Sequence, residues 1–190
     1  MTEFWSIGHS AGSALILGFV VSFVGACMYW IRGGLRGGAP PTRAYFVRER
    51  SFLMAAVVLT AVGFVLLEGH LENSDGRVLA QTGAAAYFFG GVLVVVAEAS
   101  YLSQSFEKNW FEKNYPLVVI YVVLAFLAQA VIGGSLLQAG LLAAWIGWAA
   151  IVWNLGWLVV SLIDRRAIYI PFLHHLMPLV IGIALLWRGP

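Results

Sequence analysis

Two adjacent histidines, His174 and His175, stand near the start of the last apolar run of this chain, and a glutamate, Glu98, stands at the end of the third. Ionisable side chains within apolar runs of membrane length are costly and mark function. An imidazole near a carboxylate relays protons or hydrogen-bonds a quinone carbonyl. A single imidazole ligates haem iron or the magnesium of a chlorophyll-type pigment. Neighbouring residues on a helix point about 100° apart, so the two rings do not readily share one metal. Pro178 withholds an N–H from the carbonyl of His174 and favours a kink there. The fifth run adds Trp153, Asn154 and Trp157, aromatic bulk suited either to a flat hydrophobic ligand or to packing. These six residues, His174, His175, Glu98, Trp153, Asn154 and Trp157, form the candidate cofactor site.

A second set lies between the second and third runs, where Glu68, His70, Glu72 and Asp75 are close in sequence, with His9 expected on the same side. His70, His9, Glu68 and Glu72 are ligand types for zinc, copper or iron, although no recognised metal spacing is present. A polar hairpin around residues 73–76 accounts for the same composition. The segment Gly33–Gly38 lacks the Lys-Ser/Thr ending of a phosphate-binding loop, and neither a zinc-protease helix nor a nucleophile elbow occurs.

The elements that must position these groups are membrane helices. Of 190 residues, 61% are hydrophobic and 11% charged, whereas soluble domains are nearer half apolar and a quarter charged. A span needs roughly 20 apolar residues. The runs predict an all-α, polytopic transmembrane bundle of about six helices, over 13–31, 52–68, 78–101, 116–136, 139–163 and 171–187, in a single membrane domain. The second span is short unless its flanks contribute, and the sixth begins near Pro171, since proline suits a first helical turn. The single cysteine, Cys27, closes a segment resembling a lipoprotein box, but Arg32 and Arg36 just after it favour a retained helix. The lysines, Lys108 and Lys113, lie between apolar runs, which excludes a retinal Schiff base in mid-membrane.

Nine of the eleven Lys and Arg residues fall in 32–50, 103–115 and the fifth-to-sixth connection. The positive-inside rule then places both termini on the non-cytoplasmic side, as expected for a bacterial inner membrane protein, with 32–50 a basic cytoplasmic loop. That orientation sets Glu98 and the histidine pair together at the cytoplasmic border. Trp30, Trp110, Tyr115, Tyr169 and Trp187 fit interfacial belts.

Small residues recur every four positions at Gly18/Ser22/Ala26, Thr82/Ala86/Gly90 and Ala139/Ala143/Gly147, a pattern that lets helices approach closely in lipid. Residues 79–100 match 136–157 at six positions of 22 without a gap, which suggests a parallel repeat of helical hairpins, spans 2–3 and 4–5. Thr60, Gln129, Asn154 and Ser161 are the polar residues deep within runs. The expectation is an integral membrane subunit of a redox or photosynthetic assembly, mainly structural rather than catalytic. It would contact haem, quinone or pigment near the cytoplasmic border, in an electron-transport setting. Its partners would be lipid and membrane proteins, or further copies of itself, and not nucleic acid. The alternative is a small-molecule or ion transporter, suggested by the repeat and the kinked sixth helix.

Overall fold

In a computed structural model, residues 6–34, 42–103, 110–163 and 170–187 are described. Their regular structure is entirely helical: α1 (Ile7–Gly34), α2 (Arg43–His70), α3 (Arg77–Ser103), α4 (Trp110–Ala139), α5 (Ala144–Ile163), α6 (Pro171–His174) and α7 (Leu176–Trp187). Five helices are long and apolar enough to cross a membrane, and a shorter apolar stretch, Phe172–Trp187, follows. Hydrocarbon offers no hydrogen bonds to a backbone, so helices that satisfy their own are the economical solution. The expected all-α membrane bundle is therefore what forms. Lys108, Asp164, Arg165, Arg166 and Tyr169 lie outside the described residues.

The second span is far longer than its apolar run. Thr42 caps α2, its hydroxyl accepting from Tyr45 N at 3.3 Å, so Arg43, Arg48, Glu49 and Arg50 belong to the helix and not to the loop. Among the described residues, Gly140 alone of the glycines has positive φ, at 57°. It ends α4 in the left-handed conformation that glycine adopts freely.

Successive helices pack antiparallel. We call the end where α1 meets α2, α3 meets α4 and α5 meets α6 the basic end, because the connecting segments there carry Arg36, Lys108, Arg165 and Arg166. The other is the hairpin end. On α2, the buried residues Phe46, Glu49, Leu53, Ala56, Thr60, Gly63 and Leu67 alternate in steps of three and four. That recurrence keeps one seam facing a neighbour along the whole helix. Its register with α1 is fixed by the close approaches of Gly25 to Leu53, Gly18 to Thr60, Leu15 to Gly63 and Gly8 to His70.

The α3 seam also has period seven and not four. Gly76, Gly83 and Gly90 meet α4 at Ser135, Ile132 and Leu124, whereas Thr82 is exposed and bonds back to Val78 O at 2.8 Å. A period of seven stays on one face of a pair of long helices, whereas a four-residue stripe drifts around the cylinder. The α1 stripe holds, with Ser22 and Ala26 both buried.

The matched segments of the suggested repeat do not correspond in the fold. Residues 79–83 lie inside α3, but 136–139 finish α4 and Gly140 is its left-handed cap. Leucine, alanine and glycine recur in any membrane helix, and the match reflects that shared alphabet.

Two glycine pairs make reciprocal contacts. A Cβ on Gly12 would stand 2.8 Å from Gly182 O, and one on Gly182 the same distance from Gly12 O. Gly133 and Gly147 repeat this between α4 and α5, at 2.7 and 2.8 Å. These crossings pin α7 to α1 and α5 to α4 near the hairpin end. The centre is filled by Phe64, Tyr87, Tyr121, Phe126, Leu15 and Ile181, all essentially buried.

Candidate functional site

The last apolar stretch is broken at the histidines. α6 ends at His174, His175 is a turn, and α7 begins at Leu176. Pro178 has no N–H to give to His174 O. The ladder resumes beyond it, with Leu179 N donating to His175 O at 3.0 Å. The expected kink is a full interruption.

Both histidines are buried, each 2% exposed. α7 is only twelve residues long, and Gly182 in its middle meets Gly12 near the hairpin-end start of α1. Its start lies six residues further toward the basic end, about 9 Å, deep in the bundle. His175 Nδ1 and Thr60 Oγ1, on the middle of α2, share a hydrogen bond of 2.9 Å whose direction follows the imidazole tautomer. The His174 ring stacks on Phe126 and Tyr121 of α4, at centroid distances of 4.3 and 5.7 Å. Tyr121 in turn interacts with the phenol of Tyr87 on α3. Phe64 meets Tyr87 edge-on at 5.1 Å.

The tryptophans divide. Trp145 and Trp148 project outward, 64% and 59% exposed, as lipid-facing residues of a peripheral helix do. Trp153 and Trp157 are half-buried and tilted against each other at 5.8 Å. Trp153 Nε1 donates to Leu173 O on α6 at 3.4 Å, so these rings and the histidine break are neighbours. Asn154 is fully buried and its Nδ2 donates to Ala150 O at 2.7 Å.

Glu98 belongs to another group. Its Oε1 accepts from Arg50 Nη1 at 2.8 Å, and Arg50 Nε stands 3.6 Å from Glu49 Oε1. Both carboxylates are buried, Arg50 is 12% exposed, and its guanidinium also lies over the Phe46 ring at 5.0 Å. Arg50 precedes Thr60 by ten positions on one helix, about 15 Å. The expected meeting of Glu98 with the histidines does not occur: Glu98 is near the basic end, the histidines at mid-depth. The sequence reading measured the sixth helix from its start, whereas its contact with Gly12 sets its depth.

The outer ligand set does not assemble either. No group of three His, Cys, Asp or Glu side chains suited to a metal occurs among the described residues. His9 Nδ1 is bonded to Ser6 Oγ at 2.7 Å, His70 packs on Gly8, and exposed Glu72 reaches Arg77 at 4.0 Å. Glu68, half-buried, lies in the last turn of α2.

Glu49 falls outside the apolar runs of the sequence, and Tyr87, Tyr121 and Phe126 are not distinguished there from other aromatic residues within runs. Gln129, noted only as a polar residue within a run, is 2% exposed, and neither of its amide atoms has a hydrogen-bond partner. A count of positions from the hairpin loops would have found the level. Thr60, Tyr87, Gln129 and Asn154 each lie ten positions from the hairpin-end terminus of their helices, His70, Arg77, Ala139 and Ala144. Neither a protein-family model, nor a curated protein, nor a solved structure matches this chain.

Proposed function

We propose that this chain is an integral membrane subunit of a larger redox or photosynthetic assembly. Its own contribution is packing and contact with a hydrophobic cofactor, and it carries no catalytic step. The observation that supports this most is the buried histidine pair at a helix break in mid-bundle, walled by Tyr121, Phe126 and Trp153. Ionisable groups at that depth are retained for function, and one imidazole suffices to ligate haem or pigment metal or to bond a quinone carbonyl. The contact belongs at mid-depth, not at the basic border. The excess of basic residues at one end supports an orientation with that end in the cytoplasm and both termini across the membrane.

Purification from native membranes in mild detergent tests the reading. The expected result is a partner protein in fixed ratio together with visible absorption or extractable quinone. A colourless, quinone-free, partnerless preparation would sink it.

One feature favours a second reading, a small transporter: discontinuous helices with freed carbonyls recur at mid-membrane transport sites. Substrate flux into proteoliposomes, abolished by Asn154→Leu, is its signature. Flux unchanged by that substitution counts against it.

A further inference from the structure

Gln129 and Asn154 are the two buried side-chain amides of the described bundle, and they share one level on adjacent helices. Gly133 of α4 touches Gly147, Ala150 and Ile151 of α5. Following that antiparallel register one turn toward the basic end brings Gln129 beside Asn154. On α4, Gln129 lies between the face that meets α3, through Ala128 and Ile132, and the face that meets α5, through Gly133. It therefore points into the bundle, one turn from Phe126, on which His174 stacks.

The amides leave hydrogen-bonding capacity unused. Asn154 Nδ2 is committed to Ala150 O, which fixes Oδ1 as a free acceptor without a partner. Gln129 offers both a donor and an acceptor, neither engaged. Buried polar atoms without partners in hydrocarbon cost free energy and call for a ligand or a water.

The surroundings constrain that ligand. Along the helices, Arg50 lies ten positions from Thr60 at this level and Glu68 eight, about 15 and 12 Å away. No formal charge is at hand among the described residues, so a metal dication or an anion would be left uncompensated. A neutral molecule with an apolar body and a carbonyl or hydroxyl head is left. α5 is pinned to α4 near its start, and its later half, from Leu155 through Ile163, is largely exposed with open space at Gly156. α5 and α7 meet only sparsely, and the exposed later half of α5 borders their seam.

We infer that Gln129 and Asn154 form the polar anchor of a mid-membrane site for a membrane-soluble quinone, reached laterally between α5 and α7. Its walls are Phe126, Trp153 and Trp157. A quinone carbonyl accepts from Gln129 Nε2, and the hydroxyl of the quinol donates to Asn154 Oδ1, so both forms are held. The inference rests on the cofactor reading above and narrows its ligand.

Photolabelling of the full chain in nanodiscs with an azido-ubiquinone analogue of short tail tests it. Peptides of α4 and α5 around Gln129 and Trp157 should be labelled. An excess of short-tail ubiquinone should compete the labelling, and both Gln129→Leu and Asn154→Leu should reduce it at least tenfold, with thermal unfolding confirming that the variants fold. Labelling that is not competed, or that persists in both variants, overturns the site. So does a Gln129→Leu variant with raised stability and unchanged labelling, because the amide would then be a packing residue only. A haem or pigment that co-purifies without competed labelling would refute this inference and leave the cofactor reading standing. Competed labelling in a partnerless protein would uphold the site and refute the larger-assembly part of that reading.

Discussion

Arg50 on α2 donates to Glu98 on α3 at 2.8 Å, across a helix pair that is otherwise held by apolar contacts such as Gly91 on Val57. The guanidinium also faces Glu49 of its own helix, so one cation serves two buried carboxylates. The group fixes the rotation of α2 against α3 near the basic end, while Phe64 and Tyr87 fix it at mid-depth.

Arg50→Met should therefore destabilise the bundle strongly, by about 3–5 kcal/mol, because it strands the buried carboxylate of Glu98. Adding Glu98→Gln to that variant should restore part of the loss. Unfolding of both variants in detergent, followed by circular dichroism, measures the difference. Equal stability of the single and double variants would show that Glu98 is not the partner that matters.

The Thr60–His175 bond is a smaller effect. Hydrogen bonds between membrane helices average about 0.6 kcal/mol and reach about 1.7. Thr60→Val keeps the shape, which matters because Gly18 lies against this side chain, and should cost an amount in that range. The imidazole nitrogen shifts of His175 should move while those of His70 stay fixed. Unmoved His175 shifts would mean that its ring is held elsewhere.

Much of this architecture is legible in the sequence, and the gaps have physical causes. Apolar runs locate the helices because hydrocarbon admits little else. They undercount α2, since Arg43 to Arg50 are helical through the cap at Thr42 and the pairing of their charges inside the bundle. His174, His175, Trp153, Trp157 and Asn154 stand out in the sequence by residue type, and of the α5 residues Trp153 reaches the histidine segment, at Leu173 O, with Trp157 tilted against it. The sequence puts the histidines at the level of Glu98 because depth depends on where a helix is anchored, and the Gly12–Gly182 contact that anchors α7 is tertiary. Gln129 was unremarkable for the same reason, because its isolation follows from its neighbours and not from its own residue type.

The glycine crossings give a paired prediction. Gly133→Val forces a side chain into Gly147 O and should cost about 1–3 kcal/mol by overpacking. Gly156→Ala, on the same α5 but with nothing within 4 Å, should be neutral or slightly stabilising, since alanine is the better helix former. Thermal unfolding of the two variants separates them. A Gly133→Val variant as stable as the parent would show that α5 is free to shift away from α4.

Pro178→Ala tests what the helix break is for. The substitution supplies an N–H at position 178 of the kind that bonds a carbonyl four residues back, so α6 and α7 can join into one helix from Pro171 to Trp187. The amide at position 178 should exchange slowly with deuterium. A continuous helix also turns His175 by the angle that the break now absorbs, and draws it from Thr60. The same imidazole shifts that move in Thr60→Val should therefore move here, with net stability little changed, because one backbone bond is gained as one side-chain bond is lost. Slow exchange at position 178 with unchanged His175 shifts would show that Thr60 holds the ring whatever the backbone does. The interruption would then serve to present the His174 carbonyl, not to place His175.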